Sequence, residues 1–342
     1  MRWGRARVLV CCCSIGLAGC SGPPPAPPQQ PGAAAALPLA EAGAKLETAA
    51  SLVFTEGPAA DADGNVFFTE IRGNRILKYA PDGRVTVFRE PSRRANGLAF
   101  DPQGRLVACE GAGMGEDGGR RITRTDMKTG RVEVLAESYQ GKKLNSPNDL
   151  DIDREGRIYF TDPRYGDQSG RELETEDVYR IETSGGLTRV LTRPDIEKPN
   201  GILVSPDGKN LFVADTFRTE AGAASSRVAA IKKFDILPDG RATNGRVHYS
   251  FGTGRGVDGM VMDVNGYIYG AAGVNTGPPE NLAGIYIISP EGKLAGRIPI
   301  PEDAVTNCTF GGPGLRTLYV TAGKTLYRVR MQNAGHLAWP KH

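Results

Sequence analysis

The sequence predicts an all-β fold built from six similar four-stranded units, and two observations lead to this prediction. Turn glycines recur 40 to 58 residues apart, in DADG at 61–64, DPQG at 101–104, DREG at 153–156, SPDG at 205–208 and DVNG at 263–266. An apolar strand follows each of these turns, and no segment shows a convincing amphipathic helix pattern. Four-stranded units repeated at this spacing are typical of the blades of a β-propeller.

We therefore expect a six-bladed β-propeller over residues 45–331, with four antiparallel strands in each blade. The sixth unit, at 305–331, ends after its third strand. Residues 45–53, KLETAASLV, can supply the missing outer strand, so that a strand from the N-terminal side closes the ring. A β-sandwich or a pair of barrels is the alternative, and the aligned repeats disfavour it. Residues 332–342 are expected to form a C-terminal tail.

The first 44 residues have the composition of an export signal followed by a tether. Three arginines precede an apolar stretch that is too short to span a bilayer, which is typical of a secretory signal peptide over residues 1–19. The sequence LAGC at 17–20 resembles the bacterial lipoprotein box, in which the cysteine is lipidated and becomes the first mature residue. Cleavage by an ordinary signal peptidase is the alternative.

Residues 20–44 are rich in proline and alanine, so they are expected to be a tether that begins at a lipidated Cys20. The predicted protein is exported and anchored by lipid to a bacterial membrane, on its periplasmic or cell-surface side. We expect no other membrane contact and a monomer. The formal charge of +3 argues against nucleic acid as a partner. Cys109 and Cys308 fall two repeats apart, so both thiols are expected to be free.

Every repeat has a carboxylate or a primary amide at one aligned position, eight residues before the turn glycine in the first five repeats. In a propeller the first strand of each blade is innermost, so these side chains are expected to surround the central channel. The six axial residues are Glu56, Asn96, Asn148, Asn200, Asp258 and Asn307.

No lysine or arginine occupies an axial position, and buried carboxylates are costly without a partner. One divalent cation is the predicted partner. Hard oxygen ligands favour Ca²⁺, with Zn²⁺, Mg²⁺ and Mn²⁺ as alternatives. A water-filled channel lined by turn-forming Asn and Asp is the competing interpretation.

A second set of acids ends the second strand of the first four blades: Glu70, Glu110, Asp162 and Asp215. These carboxylates are expected either to cap the loops that follow or to support the axial residues and relay protons. Long loops follow the second strand in blades two to five, which predicts a substrate pocket above the axial residues. The predicted substrate contacts are Asn96, Glu110, Asn148, Arg164 and Tyr165.

Five segments resemble the gluconolactonase and regucalcin (senescence marker protein) family of six-bladed propeller lactonases, which is related more distantly to paraoxonases. They are FTEGP at 54–58, NSPNDL at 145–150, YFTDPRYG at 159–166, PNGILVSPDG at 199–208 and VDGM at 257–260. The resemblance covers about residues 52–331. The chain departs from the family at Ala59 and Ala60, where an aromatic residue is frequent, and at Gly111, where a histidine is frequent.

The resemblance implies that Glu56, Asn200 and Asp258 bind one divalent metal and that Asn148 lies beside it. It also implies hydrolysis of a small-molecule lactone or ester by metal-activated water, with Asp258 as both ligand and base. Asp149 and Asp162 are alternative bases. No G-x-S-x-G motif is present, and none of the three histidines falls in a first-strand motif.

Two other functions stay open at this point. A non-catalytic binding propeller could use the cation only to brace its channel. A phosphotriesterase or another esterase could use the same site, because fold and metal do not determine the substrate.

Overall fold

The computed structural model describes residues 39–52, 54–112, 118–216, 228–276 and 279–340. The predicted signal peptide, Cys20 and most of the tether lie outside the described residues, so export and lipid attachment stay predictions. Within the described ranges, no helix is long and apolar enough to cross a membrane.

The described residues form an almost purely β structure of six antiparallel sheets, each with four or five strands. The ring begins with β1 (Glu47–Ser51), which belongs to the last blade. Blades one and two contain β2 (Thr55–Ala60), β3 (Val66–Glu70), β4 (Arg75–Tyr79), β5 (Val85–Arg89), β6 (Ala95–Phe100), β7 (Leu106–Glu110), β8 (Arg121–Thr125) and β9 (Val132–Ala136). A short hairpin of β10 (Ser138–Tyr139) and β11 (Lys142–Lys143) follows blade two.

Blades three and four repeat the same order from the channel outward. Their strands are β12 (Leu150–Ile152), β13 (Ile158–Asp162), β14 (Asp177–Ile181), β15 (Leu187–Leu191), β16 (Pro199–Val204), β17 (Asn210–Asp215), β18 (Ala230–Ile236) and β19 (Ala242–Ser250). Blades five and six contain β20 (Met260–Asp263), β21 (Ile268–Ala272), β22 (Gly284–Ile288), β23 (Leu294–Pro299), β24 (Val305–Gly311), β25 (Thr317–Ala322) and β26 (Thr325–Arg330). Two short 3₁₀ turns lie at Pro279–Asn281 and Pro313–Leu315.

The ring closes as the sequence predicts. Strand β1 pairs antiparallel with β26, and Glu47 lies opposite Arg328 while Ser51 lies opposite Thr325. An N-terminal strand therefore completes the sixth blade and joins the beginning of the described chain to its end. The six-bladed architecture with four-stranded blades is confirmed for five of the blades, and blade five differs.

Blade five has a fifth strand that the sequence analysis did not predict. Strand β27 (Gly335–His336) pairs with the innermost strand β20, so that His336 lies opposite Met262. The chain then continues to Trp339, whose Nε1 donates to the carbonyl of Asp153 in blade three at 2.8 Å. Residues 332–340 thus cross one end of the channel.

Glycine beside the axial residue lets the innermost strands of neighbouring blades approach closely. Gly201 follows Asn200, and a Cβ at Gly201 would be 2.3 Å from the carbonyl oxygen of Asp258. Its N–H donates to that carbonyl at 2.7 Å. A Cβ at Gly57 would meet the carbonyl oxygen of Asn96 at 2.1 Å in the same way. The ring can close tightly because these positions carry no side chain.

Apolar side chains pack between adjacent blades. Cys109 of blade two and Phe160 of blade three share one cluster, and Cys308 of blade six packs with Tyr269 of blade five in another. Both thiols are buried and free, as expected from the repeat positions. Burial also raises the pKa of each thiol, which makes them inert core residues.

Candidate active site

The axial residues of the first five blades line a cavity of about 450 Å³ at the end of the channel opposite residues 332–340. The sequence alignment had predicted that these side chains meet, and the structure brings them together. Asn307 of the sixth blade lies deeper and lines a smaller cavity beneath. The axial residues that line the upper cavity are Glu56, Asn96, Asn148, Asn200 and Asp258.

Glu56 is the most buried carboxylate of the cavity, with 5% of its surface exposed. Its Oε2 accepts a hydrogen bond from the N–H of Gly57 at 3.1 Å. Burial raises the pKa of Glu56 well above its usual range, and the nearby carboxylates of Asp258 and Asp149 raise this pKa further. A cation bound among these groups would relieve their repulsion.

Asp258 forms an ion pair that the sequence analysis missed. Arg255 Nη2 lies 2.5 Å from Asp258 Oδ2, and Arg255 Nη1 donates to the carbonyl of Val305 at 2.7 Å. Arg255 lies three residues before the axial residue Asp258, so a comparison of the axial positions alone does not include it. The available signal was the motif RGVDG itself, which puts a charged residue within reach of the axial aspartate.

A directional chain of hydrogen bonds orients the amide of Asn200. Thr216 Oγ1 donates to the carbonyl of Lys198 at 3.2 Å, because a carbonyl can only accept. The hydroxyl of Tyr165 therefore donates to Thr216 Oγ1 at 2.7 Å, and Asn200 Nδ2 donates to Tyr165 Oη at 3.1 Å. With its NH₂ group held in this way, the amide presents its oxygen as the atom available to a cation.

Tyr165 is itself held in place by its neighbours. Lys198 Nζ lies 5.0 Å from the centre of the Tyr165 ring and donates to the carbonyl of Arg164 at 2.8 Å. The predicted contact Tyr165 lies in the cavity wall, as do Asn96 and Asn148. Whether these three side chains touch substrate stays a prediction.

Asp149 lies in the channel beneath the cavity. Its Oδ2 accepts from Asn307 Nδ2 at 3.1 Å, and its Oδ1 accepts from the N–H of Leu150 at 2.9 Å. Because blades three and six face each other across a six-membered ring, this contact spans the channel. Burial raises the pKa of Asp149 to about 7.

Two of the four acids at the ends of the second strands, Asp162 and Asp215, bind the segments that lead to axial residues, whereas Glu70 pairs with Arg75. Asp162 accepts from the N–H groups of Asn145 and Ser146, each at 2.7 Å, shortly before Asn148. Asp215 accepts from the N–H of Lys198 at 2.9 Å, two residues before Asn200. Burial raises the pKa of Asp162 to about 7. These two aspartates hold the backbone that leads to Asn148 and Asn200, which agrees with a supporting role for them; a part in proton relay stays a prediction.

Two predicted substrate contacts lie outside the cavity lining. Glu110 is buried in ion pairs with Arg89 and Arg121, both at 2.7 Å. Arg164 donates to three loop carbonyls, those of Asn145, Asp167 and Ser169, at 2.7 to 3.0 Å. Glu110 and Arg164 therefore support the cavity wall, and neither is among the described residues that line it; contact with substrate stays a prediction for both. Their positions in the sequence predicted that both residues lie near the pocket. The sequence did not indicate that their polar atoms form ion pairs and hydrogen bonds within the protein.

The donor set of the cavity fits a hard divalent cation. Glu56 and Asp258 offer carboxylate oxygens, and Asn148 and Asn200 offer amide oxygens, which are ligands that Ca²⁺ accepts. Among all the described residues, including those of this cavity, no group of three or more His, Cys, Asp or Glu side chains is placed to hold a metal. The candidate site falls outside that pattern because half of its donors are amides.

The fold and site together define a six-bladed propeller with an oxygen-lined pocket at one end of its channel. Residues 54–324 match the SMP-30/Gluconolactonase/LRE-like region, and the chain belongs to this family. It is 29% identical over 314 residues to the gluconolactonase of Zymomonas mobilis, covering 84% of this chain and 81% of that protein.

Solved structures agree with this assignment. A gluconolactonase of Xanthomonas campestris is 32% identical, with a TM-score of 0.71 over 84% of this chain and 90% of the other. Regucalcin of Agrobacterium tumefaciens, described as a calcium-binding protein, shares the fold at 20% identity, with a TM-score of 0.67 over 84% of this chain and 94% of the other.

Proposed function

We propose that this protein is a lactonase that opens a cyclic ester with a divalent cation, most favourably Ca²⁺, bound in the upper cavity. The observation that carries the proposal is the convergence of two carboxylates and three amides, from five blades, on one cavity. Membership of a family that contains gluconolactonases supports the reaction. The calcium-binding regucalcin of the same fold supports the ion.

Glu56, Asn148, Asn200 and Asp258 would hold the ion. When bound, a divalent cation supplies a Lewis acid for the lactone carbonyl and lowers the pKa of water. The protein's own part is to orient these ligands, through the Tyr165 hydroxyl at Asn200 and through the Gly57 N–H at Glu56.

Asp258 is the proposed proton acceptor for the attacking water. Its carboxylate lines the cavity, and the ion pair with Arg255 holds Oδ2 in one place. Among the described histidines, His248 lies in the outer strand β19 and His336 lies in β27 at the opposite end of the channel. A carboxylate is therefore the base that the cavity offers, and Asp149 beneath it is the alternative.

The replacement Asp258→Asn tests this proposal in the soluble domain lacking the first 38 residues. We expect lactone hydrolysis to fall by about 100-fold or more, because general-base catalysis typically contributes 10²–10⁴-fold. Metal content of the purified protein and turnover on a panel of lactones are measured together. Asp303→Asn, on an acid that does not line the cavity, is the control.

Full activity of Asp258→Asn would remove Asp258 from the mechanism. A wild-type protein that binds Ca²⁺ and gains thermal stability from it, yet turns over no lactone of the panel, would favour a metal-braced binding propeller instead.

A further inference from the structure

Asn281 is a buried polar residue with no part in the chemistry proposed above. It ends the short 3₁₀ turn Pro279–Asn281, which lies in the long loop between β21 and β22 of blade five. Only 5% of its surface is exposed, and it is not among the described residues that line the upper cavity. A buried amide has to satisfy both its oxygen and its NH₂ group, so its partners indicate what the residue does.

The amide of Asn281 holds the backbone of Arg255 at two points. Because an N–H can only donate and a carbonyl can only accept, the amide oxygen accepts from the N–H of Arg255 at 2.7 Å and the NH₂ group donates to the carbonyl of Arg255 at 3.3 Å. Gly254 permits this approach, since a Cβ at Gly254 would collide with the Asn281 side chain. The carbonyl of Arg255 also accepts from the N–H of Gly273 at 3.4 Å. The loop therefore fixes the main chain of Arg255.

The guanidinium of Arg255 is fixed as well. Its Nη1 donates at 2.7 Å to the carbonyl of Val305, the first residue of β24 in blade six, and its Nη2 donates to Asp258 Oδ2 at 2.5 Å. The side chains of Arg255 and Asp258 are only 13% and 17% exposed. Since Asn281 holds its main chain and blade six holds its guanidinium, Arg255 meets the carboxylate of Asp258 in one geometry.

We propose that Asn281 is a positioning residue for the proton acceptor Asp258: Asn281 fixes Arg255, and Arg255 fixes the carboxylate. This inference rests on the proposed lactonase function and adds a residue to the machinery of the same site. A general base must lie within hydrogen-bond reach of the water that it deprotonates, and a displacement of about 1 Å can cost about 100-fold in rate. The loop of blade five thus acts on the reaction through Arg255, without contact between Asn281 and substrate.

A double-mutant cycle tests whether Asn281 acts through Arg255. The soluble domain is prepared as wild type, Asn281→Leu, Arg255→Met and the double variant, because Leu and Met keep much of each side chain's volume without its hydrogen-bonding atoms. For each protein, kcat and KM are measured at saturating Ca²⁺ on the lactone of the panel that turns over fastest. Calorimetric titration measures Ca²⁺ affinity without turnover.

Asn275→Leu is the matched control. Asn275 belongs to the same loop, but its side chain donates to the carbonyl of Ile300, at 3.3 Å, rather than to Arg255. It is not among the described residues that line the cavity. This variant should match the wild type in kcat, KM and Ca²⁺ affinity.

We expect Asn281→Leu to lower kcat about 10- to 100-fold at saturating Ca²⁺ and to leave KM near that of the wild type, because the carboxylate is displaced while the cavity lining keeps its residues. Ca²⁺ should also bind less tightly, since Asp258 is a proposed ligand. In the Arg255→Met background, Asn281→Leu should change neither kcat nor Ca²⁺ affinity, because a residue that acts through another has no effect once the other is gone.

Losses that multiply in the double variant would overturn the positioning role, as would a wild-type kcat in Asn281→Leu or a loss of kcat that saturating Ca²⁺ removes. Each of these results would leave the lactonase intact. Absence of turnover by the wild type on every lactone of the panel would overturn the proposed function and this inference together. Should Asn281→Leu not fold, Asn281→Asp, which keeps an oxygen for the Arg255 N–H, enters the same cycle with a smaller expected loss.

Discussion

At Asn200, the orientation of one amide group decides whether the residue can act as a ligand. The hydrogen-bond chain through Tyr165 and Thr216 ends at a carbonyl, which sets the direction of every donor in it. Asn200 therefore keeps its oxygen, rather than its NH₂ group, available to a cation in the cavity that it lines. The sequence predicted the ligand, but not the group that orients it, because Tyr165 is 35 positions away and its partner Thr216 is 51 away from Tyr165.

Replacing Tyr165 by Phe removes the hydroxyl and keeps the ring against Lys198. We expect Ca²⁺ affinity to fall about 10- to 100-fold, the usual cost of losing a group that orients a metal ligand. Calorimetric titration of the metal measures the effect directly. Tyr249→Phe, in the outer strand β19, is the control and should bind Ca²⁺ like the wild type. An unchanged affinity in Tyr165→Phe would contradict the orienting role.

At the scale of the element, the segment after blade six has a role that its sequence does not reveal. The segment 332–340 is short and partly polar, and it matches none of the repeats. The sequence therefore predicts a C-terminal tail. In the structure β27 hydrogen-bonds to β20, and Leu337 packs against the apolar clusters of neighbouring blades. The segment covers the end of the channel away from the candidate metal ligands.

Truncation after Met331 should lower the free energy of unfolding by about 2–4 kcal/mol, from lost apolar burial and lost hydrogen bonds. Ca²⁺ affinity should stay close to that of the full domain, because the axial ligands lie at the opposite end. Urea unfolding and metal titration of the same two proteins check this. Trp339→Phe, which removes the Nε1 bond to Asp153 and part of the ring packing but keeps the rest of the segment, should show a smaller loss. A truncated protein of unchanged stability would show that the segment contributes nothing.

At the scale of the whole molecule, we propose from the composition of the N-terminal region that the propeller is attached to a membrane by a tether. This is a proposal, since residues 1–38 lie outside the described structure. The lipoprotein-box sequence at 17–20 and the proline-rich stretch that follows support it. The propeller would then act on small molecules outside the cytoplasm, as a monomer.

Expression of the full chain in a bacterium with a fatty-acid analogue tests the anchor. We expect label on the wild-type protein and none on Cys20→Ala, which lacks the thiol that would be lipidated. The C109A variant is the matched control and should label normally, because Cys109 is a buried core thiol. Wild-type protein that is exported but carries no label would indicate cleavage by an ordinary signal peptidase.

The sequence by itself determined the repeat, the ring closure and the axial position. These features are local and periodic: a turn glycine, an apolar strand and a polar residue recur at constant spacing in the first five blades. Any ring built from such units must bring Glu56, Asn148, Asn200 and Asp258 to one axis. That is why the family and the candidate ligands could be recognised before the structure was considered.

Only the tertiary structure decided how residues from different blades meet. Asp149 reaches Asn307 across the channel, Tyr165 reaches Asn200 from another blade, and β27 joins blade five. Glu110 forms ion pairs and Arg164 donates hydrogen bonds to backbone carbonyls, and neither side chain is among the described residues that line the cavity. Such contacts depend on side-chain geometry between distant segments, and repeat spacing holds no information about which polar atoms are already satisfied.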